Sequence, residues 1–238
     1  MDGQSLLLSR MASGEPEIFS SVQGEGVSAG VASTFVRLAT CNLRCSWCDT
    51  AYTWDWTRFD RAEQTLERPV EAILADVLGR APRNVVITGG EPLIQRSHLL
   101  PFTAALKDAG MRIEVETNGT ISPGPLLPNV DQWNVSPKLR HAGNEGLDRL
   151  PEGPLRDFAA CPQAFFKFVV KEERDLGEVE ALRERFAIPA GRVVLMPEGT
   201  TAAALNARSP WIAETCAARG YRFSSRLHIL IWGDKRGV

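Results

Sequence analysis

The sequence has no apolar run long enough to cross a bilayer, and no signal-peptide pattern at its N-terminus. Leu6-Leu7-Leu8 is too short for the apolar core of a leader. A cytoplasmic location is therefore the expectation, and there clustered cysteines serve as metal ligands or catalysts rather than disulfides. An excess of one charge is also missing: 27 Lys and Arg face 29 Asp and Glu, a formal net charge of −2. That balance excludes a global pull toward nucleic acid or a membrane surface. Short basic groups such as Lys138-Leu139-Arg140 and Lys235-Arg236 read as solvated surface or local anion sites. Internal repeats and low-complexity linkers are absent. Histidine is scarce, and none of the three residues is spaced from a cysteine as in a zinc finger.

What is present is ordinary in bulk. The 238 residues are 44% hydrophobic and 24% charged, enough for one large or two small domains with a real core. Short β-branched or aromatic runs at 34–39, 84–88, 111–117, 132–135, 165–171 and 192–196 read as strands. Most look too apolar for one wet face, which predicts a parallel sheet covered by helices. Between them, Val70, Ile73, Leu74, Val77 and Leu78 follow a helical stripe behind Pro69. Ser97 is the expected cap of a helix ending before Gly110, and Asp175 of one carrying Leu176, Val179, Leu182 and Phe186. Ser209-Pro210 reads as the start of a last helix that stops at Gly220, and 226–232 as a further strand. The alternation predicts an α/β fold, an open doubly wound sheet or a barrel-like one. Either gathers function at the C-terminal strand ends, where TCNLRC, TGGEP, ETNGT and SPK all fall.

The densest of these motifs is CNLRCSWCDT, residues 41–50, with three of the five cysteines in a C-x3-C-x2-C spacing. Cys161 and Cys216 read as small buried hydrophobes. Structural zinc takes four protein ligands, and catalytic zinc with three cysteines and no histidine would be unusual. A cubane iron–sulfur cluster also prefers four ligands. Held by Cys41, Cys45 and Cys48, it keeps one iron open to a group that is not protein, such as a chelating amine and carboxylate. Two alternatives stand at this point, an open-site cluster enzyme and a zinc-stabilised interaction module; the three-cysteine motif also resembles that of glycyl-radical-enzyme activases, a second enzyme reading.

CNLRCSWC is similar to the C-x3-C-x-aromatic-C signature of radical S-adenosylmethionine (SAM) enzymes, and TGGEP at 88–92 to their Gly-Gly-Glu-Pro segment. Upstream, Ile18-Phe19, Ser21, Gln23-Gly24-Glu25-Gly26, Phe35 and Arg37 lead into Cys41 and Asp49-Thr50. That arrangement resembles the 7-carboxy-7-deazaguanine synthases, strongly over 17–138 and loosely beyond. The resemblance implies a partial (β/α)6 TIM-like radical SAM barrel, curtailed in this family. It implies one domain over 1–238, with a substrate-binding segment at 17–30 and a closing segment at 221–238. The implied reaction is ring contraction of 6-carboxy-5,6,7,8-tetrahydropterin with loss of ammonia, a carbon–nitrogen lyase step in queuosine and deazapurine biosynthesis. The implied cofactors are a [4Fe–4S] cluster, SAM and Mg2+, and the implied partners are a second copy in a homodimer and an electron donor such as flavodoxin or ferredoxin.

The same resemblance distributes roles. Cys41, Cys45 and Cys48 would hold the cluster, and Thr50 the Mg2+, with Asp49 as a nearby acceptor. Gln23, Gly24, Glu25, Arg37, Thr88 and His228 would bind the pterin, Glu25, Arg37 and Thr50 carrying catalysis. Trp47, Gly89, Gly90, Glu91, Glu116, Asn118, Ser136, Lys138 and Met196 would serve SAM. Physical reasoning supports some of this. Arg37 lies in an apolar strand, where a charge needs a partner, either a substrate carboxylate or a core carboxylate of the protein. The paired glycines would let backbone approach the methionine amine. Thr50 also fits a plain turn cap. The aromatic stretch between Ala51 and Leu66 reads as a local hydrophobic cluster, with a lid or dimer contact as the alternative.

Overall fold

A computed structural model describes residues 4–238. Its strands are β1 (Ser5–Ser9), β2 (Ile18–Val22), β3 (Ala32–Leu38), β4 (Thr65–Pro69), β5 (Asn84–Gly89), β6 (Arg112–Thr117), β7 (Gln132–Val135), β8 (Ala164–Val170), β9 (Val193–Pro197) and β10 (Arg222–Phe223). The helices are α1 (Arg61–Gln64), α2 (Val70–Leu78), α3 (Arg96–Asp108), α4 (Glu152–Ala160), α5 (Asp175–Arg185), α6 (Ala202–Arg219) and α7 (Leu227–Trp232). One sheet runs in the order β10-β9-β8-β7-β6-β5-β3-β1-β4, with β2 added beside β3. From β3 to β10 all neighbours are parallel, while β1, β2 and β4 pair antiparallel. This is the expected partial (β/α)6 barrel, open between its edges. It is curtailed at the β6–β7 crossover, where a 3-10 segment, Gly124–Asn129, stands in place of an α-helix.

Alternation along the parallel strands builds two different faces. Val36, Leu38, Val85, Ile87, Ile113, Val115, Trp133, Phe166, Phe168 and Leu195 join the helices in one buried core. Trp133 meets Phe158 of α4 edge-on at 5.4 Å. The residues between them carry polarity to the other face: Arg37, Thr88, Glu114, Glu116, Asn134 and Lys167. The strands are therefore not apolar on both sides, as their composition predicts. Charged residues inside apolar runs mark the inner face of the barrel.

Four local expectations are corrected. Residues 226–232 form no strand: Leu227–Trp232 is α7; Leu227 N–H is taken by Gly24 O at 2.8 Å, and Leu230, Ile231 and Trp232 are exposed. A short apolar run does not by itself separate helix from strand. The last long helix starts at Thr201, whose hydroxyl accepts from Ala204 N–H at 3.2 Å, and passes through Pro210. Ser209 instead donates to Leu205 O at 2.7 Å, inside the helix. Helix α3 begins before Ser97, behind Gln95, and Gln95 pairs with the Leu7 backbone through both ends of its amide. Asp175 is the first helical residue, and its carboxylate accepts from the preceding Lys171 and Glu172 N–H groups at 2.8 and 3.0 Å. The antiparallel strands β1, β2 and β4 are additions that the sequence reading leaves unassigned. They cover the edge of β3 that carries the cysteine loop.

Candidate functional site

The loop after β3 carries Cys41, Cys45 and Cys48, all half-buried and all lining one cavity. At its start Thr40 has a φ of 76°, a left-handed backbone unusual for a β-branched residue. It is held from both sides: its N–H donates to Thr53 O at 2.7 Å, and its carbonyl accepts from Glu91 N–H at 2.8 Å. Strand β5 ends beneath this bend. A Cβ on Gly89 would lie 2.1 Å from Leu38 O, and one on Gly90 would lie 2.0 Å from Thr40 O. The glycine pair is thus needed for the close approach of the β5 end to the Leu38 and Thr40 backbone.

Each sulfur meets an N–H group. Leu43 N–H donates to Cys41 Sγ at 3.5 Å, Asn144 Nδ2 to Cys45 Sγ at 3.4 Å and Trp54 Nε1 to Cys48 Sγ at 3.3 Å. Burial pushes the Cys41 thiol up to about 12, and a bound cation reverses that by stabilising the thiolate. Among the described residues, no three His, Cys, Asp or Glu side chains are arranged to hold a single metal ion. The thiols do fit a larger group, since they share one cavity and already accept hydrogen bonds that favour thiolate.

The same cavity holds a buried ionic network. Lys167 Nζ donates to Glu25 Oε2 at 2.6 Å and to Glu116 Oε2 at 2.8 Å. Arg226 Nε donates to Glu25 Oε1 at 3.0 Å, and its Nη2 pairs with Asp49. Burial alone would raise Glu25, but Lys167, Arg226 and His228 hold its carboxyl well below the usual range. Glu116 goes the other way: burial and the like charges of Glu25 and Glu114 lift it despite Lys167. Lys167 is raised, its two carboxylates outweighing burial. Burial keeps His228 below the ordinary histidine range. Arg37 Nε donates to Glu17 Oε1 at 2.7 Å, so the internal partner exists. Among the described residues that is its one side-chain hydrogen bond, and Arg37 also lines the cavity.

The structure brings most of the sequence-selected residues to this cavity. Gln23, Gly24, Glu25, Arg37, Thr50, Thr88 and His228 line it, as do Trp47, Gly89, Gly90, Glu116, Asn118, Ser136, Lys138 and Met196. Gly24 lies against His228: a Cβ there would be 2.0 Å from its Nδ1. Thr50 precedes a 3-10 turn without capping it, and its hydroxyl lies 3.6 Å from Cys48 Sγ. Lys138 donates to Ser136 at 2.9 Å and sits 5.4 Å from the Trp47 ring centroid. Glu91 is the exception. It is fully buried off the cavity, accepting from Leu93 and Asn118 N–H groups and the Thr117 hydroxyl at 2.7–3.0 Å.

The reading of the sequence missed Lys167, Arg226, Asn144 and Trp54. Lys167 carried a signal, being a lysine inside the apolar run AFFKFVV, the same anomaly that marked Arg37. The stretch 51–66 is a local cluster, as expected: Tyr52 meets Phe59 edge-on at 6.5 Å and the Arg236 guanidinium at 3.7 Å. Arg236 also donates to Glu17 Oε2 at 2.9 Å, tying the C-terminal segment to the barrel.

Residues 36–144 match the radical SAM superfamily. The 7-carboxy-7-deazaguanine synthase of Pyrobaculum aerophilum is 42% identical over 224 residues, covering 93% of this chain and 95% of that protein. This chain belongs to the 7-carboxy-7-deazaguanine synthase family. The Rhodopirellula baltica synthase is 34% identical, with 93% of this chain and 87% of that protein covered. The crystal structure of QueE from Escherichia coli superposes with a TM-score of 0.68 at 29% identity, covering 94% of this chain and 95% of that one. Family membership brings with it a [4Fe–4S] cluster and SAM, which the three thiols and the shared cavity fit. It leaves the glycyl-radical activase and zinc-module alternatives without support. Among the described residues no helix is long and apolar enough to cross a membrane.

Proposed function

We propose that this chain converts 6-carboxy-5,6,7,8-tetrahydropterin to 7-carboxy-7-deazaguanine, in the biosynthesis of queuosine and related deazapurines. The observation that carries this reading is the single cavity shared by the three thiols, Arg37 and Glu25, in a chain that aligns nearly end to end with named synthases. Loss of one ammonia accounts for every atom between substrate and product, so the conversion is redox-neutral. Cys41, Cys45 and Cys48 would hold the cluster, which together with SAM would supply radical hydrogen-abstraction chemistry at this cavity.

The chain's own residues bind and orient. The Arg37 guanidinium, anchored through Nε, presents its Nη groups to the pterin carboxylate. Glu25 is locked as a carboxylate and keeps lone pairs for pterin N–H groups. Gln23 is fixed by Glu116, 3.3 Å from its Nε2, and shapes the same wall with Gly24, Thr88 and His228. Thr50 would offer its hydroxyl to Mg2+, which would help hold the substrate carboxylate. Glu116, Asn118, Ser136, Lys138, Met196 and Trp47 form the SAM side, with Gly89 and Gly90 bringing the β5 backbone close. Segment 17–30 and the closing segment 221–238 complete the pterin wall. A homodimer in the cytoplasm, reduced by flavodoxin or ferredoxin, fits the family.

The test is anaerobic incubation of reconstituted protein with SAM, reductant, Mg2+ and carboxytetrahydropterin. Deazapurine absorbance should appear. A loaded protein that cleaves SAM but leaves the pterin untouched overturns the substrate assignment. Arg37→Ala should weaken pterin binding by about 2–5 kcal/mol, roughly 30- to several-thousand-fold. Glu17 keeps Arg236 as its partner, so the variant should stay folded. Unchanged pterin affinity in calorimetry would leave Arg37 a purely structural ion pair.

A further inference from the structure

Three side-chain N–H groups outside the cysteine motif meet the thiols: Asn118 Nδ2 lies 3.9 Å from Cys41 Sγ, while Trp54 and Asn144 approach more closely, at 3.3 and 3.4 Å. Trp54 follows the 3-10 turn after the cysteine loop, and Asn144 lies in the connection after β7. We propose that Trp54 and Asn144 are positioning residues for the iron–sulfur cluster, whose N–H···S bonds stabilise its reduced form and raise its reduction potential. The proposal rests on the family reading that Cys41, Cys45 and Cys48 hold that cluster.

Asn144 is built for the task. Its φ is positive, at 70°, and it lies between Gly143 and Gly146, whose φ values are 78° and 77°. Asparagine is among the few residues other than glycine that adopt a positive φ readily. The side chain is buried, and both ends of its amide are engaged with the cysteine loop. Oδ1 accepts from Arg44 N–H at 2.6 Å, while Nδ2 donates to Cys45 Sγ at 3.4 Å and lies 3.5 Å from Ala142 O. Ser46 N–H donates to Ala142 O at 3.0 Å, so the two loops are stitched on either side of Cys45.

Trp54 makes the matching contact at Cys48. An indole N–H can only donate, and a buried one usually finds an oxygen. Here the acceptor is the Cys48 sulfur, at 3.3 Å. The contrast with Trp47 is useful: its Nε1 is buried with no partner, so proximity of a tryptophan to the loop does not by itself create the bond. One-electron reduction by an external low-potential donor adds negative charge to a cluster that is already anionic. N–H groups aimed at its thiolates favour the more negative form, and removing them lowers the potential.

The test compares wild-type protein with Trp54→Phe and Asn144→Asp, each reconstituted anaerobically. Iron and sulfide are assayed, the cluster is titrated against potential by EPR, and the reduced proteins are exchanged into D2O for pulsed EPR. All three should hold a full complement of iron. Trp54→Phe should shift the reduction equilibrium on the order of tenfold, about 59 mV for a one-electron couple, to lower potential. It should also lose one class of exchangeable deuteron coupled to the cluster. Asn144→Asp keeps the acceptor for Arg44 N–H but replaces the donor with a charge, so its shift should be larger and in the same direction. A wild-type potential and deuteron spectrum in iron-replete Trp54→Phe overturns the proposal. Loss of iron from folded Trp54→Phe also overturns it, by assigning the residue to cluster retention. If Trp54→Phe does not fold, Asn144→Asp carries the same two readouts. Failure of wild-type protein to take up the cluster would reject the family reading instead.

Discussion

Cys45→Ala is expected to leave a folded protein that holds no [4Fe–4S] cluster and turns over no pterin. The rate enhancement lost is the whole of it, which for enzymes is typically about 10⁶-fold or more. The fold should survive because the loop backbone is anchored independently of the thiol. Arg44 N–H goes to Asn144 Oδ1 at 2.6 Å, Ser46 N–H to Ala142 O at 3.0 Å and Thr40 N–H to Thr53 O at 2.7 Å. Cys45 is half-buried on a cavity wall, so truncation leaves no closed void in the core. Iron and sulfide analysis, circular dichroism and product assay together check this. Cys161→Ala and Cys216→Ala are the controls. Both thiols are buried in the core, donating to Gln163 Oε1 at 3.2 Å and to Arg222 O at 3.3 Å. Those variants should lose stability as small core truncations do and retain the cluster. A cluster retained in Cys45→Ala, or lost in Cys161→Ala, would move the ligand set.

The contrast among the five cysteines shows what was legible in sequence. Cys41, Cys45 and Cys48 stood out because their spacing repeats a local motif, and a local motif folds locally. Asn144 could not stand out: it reaches Cys45 across 99 positions, by a contact that only the fold creates. The strands were legible as apolar runs, and their parallel order followed from the helices between them. The antiparallel β1, β2 and β4 were not, because none of them is buried throughout as β7 and β9 are. Glu91 was misplaced for a related reason. Its motif predicted a ligand contact, whereas three donors of its own chain surround its carboxylate. Glu116 and Lys167 show what period-2 reading adds. Each is a charge on the inward face of an apolar strand, and each meets the other there.

That meeting predicts the second large effect. Lys167→Met should cost about 3–5 kcal/mol of stability, because methionine fills the space but leaves two carboxylates facing one another. In the native protein Lys167 sits 2.6 Å from Glu25 and 2.8 Å from Glu116, with its side chain only 6% exposed. Glu25 would keep Arg226 as a partner at 3.0 Å, while Glu116 would lose its cation and still face Glu114. The sign of the pH dependence follows. Native Glu25 is held below its unfolded pKa, so its contribution is present above the ordinary glutamate pKa of 4.5 and fades as pH falls below it. In the variant Glu116, already raised by burial and like charge, rises further. A carboxyl raised in the folded state binds a proton that the unfolded chain releases, so stability falls as pH rises through its folded pKa. The deficit of Lys167→Met should therefore be smaller near pH 5 and grow toward pH 8, as read by urea unfolding at both. Pterin turnover should fall with it, since Glu25 and Glu116 both line the cavity, Glu25 would lose one of its two cations and Glu116 would lose Lys167. A deficit below about 1 kcal/mol, or one independent of pH, would mean that solvent already screens this network as it does surface pairs.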